Sequence, residues 1–296
     1  MMKTPKYLSI LSLAVMGVFC SASPALATPI LGADLATFAV LGETSVTNVP
    51  TSTIFGNVGV SAGSSITGFT APVPGVPTVD ATGQVTGGLL HATTPLAASG
   101  QVDLTTAIGT LNAMGSTGGL PADISGTYIP GVYDGGAGLL SGALVLDGEG
   151  SDSAVWVFRF ATSLTTAAAG SSVSVTNVGD GSNVGIYWVV GTFAKLDGPT
   201  FAGNVLAQTT ISSDGALTLP CGRLLSATAD VTLIGDTISI GCTGAVVTGG
   251  GGADVGTSGG FDQAGIAGPS GVPEPATLAL LGLGFAGLGF SRRRHG

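Results

Sequence analysis

Phe201-Ala-Gly-Asn-Val-Leu-Ala207 resembles Ile54-Phe-Gly-Asn-Val-Gly-Val60, and its core, Gly203-Asn-Val-Leu-Ala207, resembles Gly222-Arg-Leu-Leu-Ser226 about one repeat later. Three short runs accompany these segments. Ala194-Lys-Leu196, Ile211-Ser-Ser213 and Val231-Thr-Leu233 begin successive units 17 and 20 residues apart. A unit this short holds two or three strands and cannot bury its apolar side alone, whereas stacked units share one core. The repetition therefore predicts the coils of a β-solenoid. Gly at the corners supplies the positive φ that tight bends need, and pairing between coils satisfies the main chain.

Working outward, most of the chain alternates with period two. In Ala154-Val-Trp-Val-Phe-Arg-Phe160, Trp156, Phe158 and Phe160 share one face. In Ser172-Val-Ser-Val-Thr176, Val173 and Val175 point inward and Ser174 and Thr176 outward. This is the pattern of half-buried strands. Ile186-Tyr-Trp-Val-Val190 is apolar on both faces, which places it under a helix. One helix is expected, from Pro95 to Met114, because Leu104, Ile108 and Leu111 recur at helical spacing. Thr94 suits its N-cap, Pro95 its first position and Gly115 its stop.

Gly makes up 51 of 296 residues, charged residues are 8 %, and mean hydropathy is +0.57. A charge-rich disordered polymer lacks such apolar content, and collagen needs a three-residue Gly period that is absent. Between Thr28 and Gly271 there are three basic residues (Arg159, Lys195, Arg223) against 16 acidic ones. A body this acidic repels phosphate, so nucleic acid is not expected as a partner.

The two ends read as addresses. Residues 1–27 have a signal peptide's parts: Lys3 and Lys6, an apolar stretch from Leu8 to Phe19, and small residues at Ala25-Leu26-Ala27. Residues 28–242 form the expected folded body, and 243–271 a Gly-rich linker. In residues 272–296, Pro273-Glu274-Pro275 precedes the 15-residue apolar run Ala276–Phe290 and the cluster Arg292-Arg293-Arg294. That order predicts a short transmembrane helix with the cluster in the cytoplasm. It closely resembles the PEP-CTERM sorting signal of Gram-negative bacteria. The resemblance implies recognition by an exosortase-type sorting machinery and a secreted, outer-surface or extracellular-matrix destination. Export also predicts that Cys221 and Cys242 pair as a disulfide, two buried free thiols being the alternative.

An enzyme needs convergent titratable groups, and the body offers little. His91 is its only histidine, with no Gly-x-Ser-x-Gly elbow to accompany it. It reads as a loop residue or one at the start of the helix. Asp147 and Glu149 could form a glycosidase pair, but Asp-Gly-Glu-Gly is a turn composition. Neither a cofactor nor a metal is expected. What remains is a surface of hydroxyls, with 35 Thr and 27 Ser against three Lys. Ser174, Lys195, Ser212 and Thr232 are outward positions 21, 17 and 20 residues apart, and one coil per step would align them about 4.7–4.9 Å apart. Thr suits such a rank because β-branching locks χ1.

At this point the body resembles the large ice-binding protein family of cold-living microbes. The carrying stretches are Phe38–Asn48, Ile54–Phe69, Asp103–Ala107, Tyr128–Tyr133, Trp156–Phe160, Ser163–Thr166, Asn183–Trp188 and Phe201–Ala207. The resemblance implies an all-β fold with one long helix: a discontinuous right-handed β-solenoid of triangular section, the helix packed along one side. It further implies that residues 44–69 insert among the later coils, and that a flat Thr/Ser-rich face adsorbs to ice or ordered water without chemistry. The ice-facing candidates are Thr47, Ser174, Thr176, Thr192, Thr209, Ser212 and Thr232. Two alternatives stand beside this reading: a structural or adhesive matrix protein, with exopolysaccharide as its candidate partner, and a β-solenoid carbohydrate-active enzyme using Asp147 and Glu149.

Overall fold

The computed structural model describes residues 30–49, 51–178, 184–241 and 247–248. Among these, every ladder between strands is parallel, and the strands fall into three sets. A nine-stranded sheet runs in the order Leu90–Ala92, Asn57–Val60, Phe38–Gly42, Gly222–Ser226, Gly203–Ala207, Gly185–Val190, Val155–Phe160, Gly131–Gly135 and Gly118–Gly119. A seven-stranded sheet runs Gly138–Leu140, Leu164–Thr166, Ala194–Leu196, Ile211–Ser213, Val231–Leu233, Ser45–Asn48 and Ser65–Thr67. The third set is two four-stranded sheets, linked by bridges from Ser172 to Thr200 and from Thr200 to Thr218. Over Phe38–Ala92 and again over Gly131–Ser239 the chain visits the three sets in one cyclic order, Thr200 standing in for a third-set strand between Ala194–Leu196 and Gly203–Ala207, so the expected repetition is met: Ala194–Leu196, Ile211–Ser213 and Val231–Leu233 are adjacent and in register.

One expectation is corrected. Residues 44–69 do not insert among the later strands. Phe38–Gly42 pairs with Gly222–Ser226, Ser45–Asn48 with Val231–Leu233 and Thr53–Phe55 with Thr237–Ser239, so the N-terminal strands stack beyond these three strands. The helix makes this order possible. Its 18 residues, Pro95–Asn112, span about 27 Å and carry the chain from Leu90–Ala92 at one edge of the nine-stranded sheet toward Gly118–Gly119 at the other.

The core has two compartments. Inside lie Trp156, Phe158, Phe160, Ile186, Trp188 and Val205 together with the inward residues of the other sheets. Along this interior Phe158 stacks on Trp188 with centroids 4.3 Å apart and an interplanar angle of 11°, and Phe201 lies tilted at 45° against Trp188 with centroids 4.8 Å apart. On the opposite face, Leu41, Val157, Tyr187, Val189, Leu206 and Leu225 pack under the helix through Ala97, Leu104, Ala107 and Leu111. Ile186–Val190 is thus buried on both faces, as its composition predicts.

Local chemistry fixes the helix ends. Thr94 Oγ1 accepts the Ala97 N–H at 3.2 Å, and Pro95 occupies the first turn. The C-terminus is closed by Arg159, which the sequence leaves unassigned. Its Nη1 donates to the carbonyls of Leu111, Asn112 and Met114 at 3.1, 2.9 and 2.7 Å, while Nε and Nη2 grip Asp134 at 2.6 and 2.9 Å. A cation on orphan carbonyls also complements the helix dipole. Gly222 is needed for close approach, since a Cβ there would lie 2.0 Å from the Gly203 carbonyl oxygen.

His91 is buried beside the helix start, its Nδ1 3.1 Å from Thr94 Oγ1 and its ring edge-on to Phe38. Burial holds its imidazole below the ordinary value of 6.5. The unfolded chain therefore binds more protons near that pH, and stability falls as pH drops through about 6.5.

Two outcomes follow. Arg159→Met removes charged hydrogen bonds worth about 2–3 kcal/mol, so calorimetry records a lower melting temperature by on the order of 5–10 °C. Acidification from pH 7.5 to 5.5 lowers the wild-type melting temperature more than that of His91→Gln.

Candidate functional site

The seven-stranded sheet turns alternate residues outward, two each in Ser45–Asn48 and Ser65–Thr67 and one in each of the other strands. In Ile211–Ser213, Val231–Leu233 and Ser45–Asn48, Ile211, Val231 and Val46 are buried, Ser213, Leu233 and Asn48 are buried, and Ser212, Thr232 and Thr47 between them are half-exposed. Period-two alternation is enough to do this in a three-residue strand. Parallel register then aligns the central residues: Leu139 with Thr165, Thr165 with Lys195, Lys195 with Ser212, Ser212 with Thr232, Thr232 with Thr47, and Thr47 with Thr67.

Four consecutive positions, Ser212, Thr232, Thr47 and Thr67, carry a hydroxyl and no long side chain. Thr67 Oγ1 and Thr47 Oγ1 are 3.4 Å apart. A flanking rank adds Thr210, Asp230, Ser45 and Ser65, where Asp230 accepts from the Thr210 hydroxyl at 3.2 Å. On the other flank Val49 is exposed and Ile234 half-exposed. The arrangement therefore sets hydroxyls beside methyl groups on rungs spaced by about 4.7–4.9 Å.

The rank is broken at Ala194–Leu196. Lys195 Nζ lies 2.8 Å from Asp197 Oδ2 and 3.0 Å from Asp214 Oδ2, and both carboxylates raise the lysine's affinity for its proton. Phe193, one residue before that strand, is 45 % exposed. A bulky, ion-paired layer thus separates the four-hydroxyl run from Leu139 and Thr165.

The sequence candidates divide accordingly. Thr47, Ser212 and Thr232 are brought together. Ser174 and Thr176 are not: Ser172–Thr176 belongs to the third set of strands, where Ser174 pairs with Val145. The expected step from Ser174 to Lys195 is thereby corrected, because the residue in register with Lys195 is Thr165. A spacing of 21 residues matched one repeat numerically but crosses from one sheet to another. Thr192 and Thr209 lie in bends before the seven-stranded sheet; the Thr209 N–H donates to the Thr192 carbonyl at 2.9 Å, and the Thr192 hydroxyl is used on the Thr162 carbonyl at 2.8 Å. Thr67 and Thr165 were missed, although the alternation of Ser65-Ile-Thr67 and Leu164-Thr-Thr166 could have identified them.

The third set also bears a hydroxyl row. Thr218, Thr237 and Thr53 pair in register, but Phe55 projects beside it, 46 % exposed. Asp147 accepts the Glu149 N–H at 2.9 Å and the Asn177 side chain at 3.0 Å, which lowers its pKa and spends it on a turn. Among the described residues no cluster of His, Cys, Asp or Glu could hold a metal, and no helix is long and apolar enough to cross a membrane. Cys221 is completely buried. Cys242, the signal peptide, Pro273, Glu274, Pro275, the apolar run 276–290 and Arg292, Arg293 and Arg294 lie outside the described residues.

These features define a class: mostly β, built from parallel sheets of very short strands with one α-helix among the described residues, and presenting a hydroxyl-bearing sheet. The chain belongs to the family described as Ice-binding-like, which matches residues 40–239. The PEP-CTERM protein-sorting motif matches residues 271–294. An ice-binding protein of Nostoc sp. (strain HG1) is 34 % identical over 241 residues, covering 80 % of this chain and 83 % of the relative. Ice-binding protein K3-B1 of Typhula ishikariensis is 31 % identical over 229 residues, 72 % of this chain and 89 % of that one. Among solved structures, the ice-binding protein of the Antarctic ascomycete Antarctomyces psychrotrophicus superposes with a TM-score of 0.61 at 32 % identity, covering 72 % of this chain and 98 % of that one.

Proposed function

We propose that this protein is an exported ice-binding protein that adsorbs to ice through the seven-stranded sheet. The observation that carries the reading is the in-register run Ser212, Thr232, Thr47, Thr67. β-branched Thr side chains lose little rotamer freedom when they order water, and the regular rungs offer that water a repeating template. The named relatives and the matched family support the same reading.

The finer architecture belongs with this proposal. Three sets of parallel strands visited cyclically are what a right-handed solenoid of triangular section would give, with the helix along one side and the hydroxyl sheet on another. Its domains are a signal peptide at 1–27, the solenoid at 28–242, a linker at 243–271 and a sorting signal with a short transmembrane helix at 272–296. The sorting motif supports delivery to the outer surface or matrix of a Gram-negative bacterium through an exosortase-type machinery. A Cys221–Cys242 disulfide fits export and the engagement of the buried Cys221. The same motif keeps one second reading open, a structural or adhesive matrix protein that holds exopolysaccharide without affinity for ice.

Thermal hysteresis of the mature chain tests the proposal, and its absence at millimolar protein removes it. Thr232→Tyr and Ser212→Tyr lower the hysteresis at least tenfold with circular dichroism unchanged, whereas Thr218→Tyr, on the third set of strands, leaves it intact. Lys195→Thr raises ice recrystallisation inhibition, because the hydroxyl rank then extends without a break from Thr165 to Thr67.

A further inference from the structure

We propose that the cleft between the last turns of the helix and the nine-stranded sheet is a binding site for a neutral saccharide chain. The cleft has a volume of about 510 Å³, within the range of ligand sites. Its floor follows one corner of the fold. Ala161 donates its N–H to the Gly135 carbonyl at 2.9 Å, Gly191 to that of Phe160 at 2.8 Å and Gln208 to that of Val190 at 2.8 Å, so four successive layers meet there. Three steps of the strand spacing make this floor about 14 Å long. Gly135, Ala161 and Gly191 bring no side chain larger than a methyl, which leaves a trough. Ile108 and Asn112 wall it on the helix side, and Gln208 stands at its last layer.

The polar groups of the cleft select the ligand. Eight Asn and Gln side chains lie among the described residues, and six of them bond within the protein. The other two, Asn112 and Gln208, have carboxamides with no hydrogen-bond partner among the described residues, and both line this cleft. A carboxamide offers donors and an acceptor together, which matches hydroxyl groups that donate and accept at once. Arg159 is the one cation among the lining residues, and Asp134 cancels it through bonds of 2.6 and 2.9 Å. No net charge is left to hold an anion, and a body with 16 acidic residues against three basic ones repels polyanions. Ile108 supplies apolar contact for the C–H face of a sugar ring. The inference goes beyond adsorption to ice and does not rest on it, since neither Asn112 nor Gln208 belongs to the seven-stranded sheet.

Heteronuclear NMR of the full mature chain tests the cleft, with maltotetraose, cellotetraose and laminaritetraose as neutral probes and an alginate tetramer as the anionic one. At millimolar sugar, at least one neutral probe shifts the side-chain NH2 resonances of Asn112 and Gln208, and the alginate tetramer shifts neither. Asn112→Ala combined with Gln208→Ala weakens binding of that probe at least fivefold with the melting temperature unchanged. Ala161→Trp, which fills the trough, weakens it likewise. Unmoved resonances of both residues with all three neutral probes overturn the proposal, as do equal shifts with alginate or undiminished affinity in the double variant. Shifts at both carboxamides in a protein without thermal hysteresis uphold the cleft and reject only the adsorption reading.

Discussion

Everything in this molecule depends on parallel register between very short strands. In Val231–Leu233 only Thr232 turns outward, and a slip of one residue would bury it and expose Val231 and Leu233. The inward pairs Ile211 with Val231, and Val231 with Val46, hold that register through burial. Ser212, Thr232 and Thr47 are therefore aligned by what lies beneath them, not by contacts among themselves. The regularity of the surface is inherited from the core.

Two polar devices keep the layers from sliding. At the junction between the last C-terminal layer and the N-terminal one, the buried Asp236 carboxylate accepts from the N–H groups of Leu217 and Ile234 and from the Ser213 hydroxyl, and its own N–H donates to Ser52. Ser52 in turn donates to Asn48, whose side chain donates to Gln84. On the helix side, buried Arg223 joins the Asn204 side chain to the Ala36 carbonyl, and Arg159 closes the helix. Two of the three basic residues of the body thus hold segments that are distant in sequence.

Much of this was legible in the sequence because period and composition report on burial. Trp156, Phe158 and Phe160 announced an inward face, Ile186–Val190 a strand covered on both sides, and Thr94-Pro95 a helix start. The illegible parts involve pairing between distant segments. Nothing local tells that Ser174 and Lys195 lie on different sheets, since both sit in alternating runs at a plausible interval. The stacking of residues 38–69 beyond Gly222–Ser226, the capping role of Arg159 and the place of Thr67 in the rank likewise depend on long-range register that one sequence does not display.

In the proposed function one sheet, and one run of hydroxyls on it, meets ice. Slow growth of ice from a solution of the mature protein bearing a single bulky label tests this most directly, the fraction of protein taken into the ice being measured. The account predicts that a label at position 237, on the third set of strands, leaves the protein enriched in the ice, and that the same label at position 232 leaves it in the liquid. Equal uptake of the two labelled forms, or rejection of both together with the unlabelled protein, would contradict it.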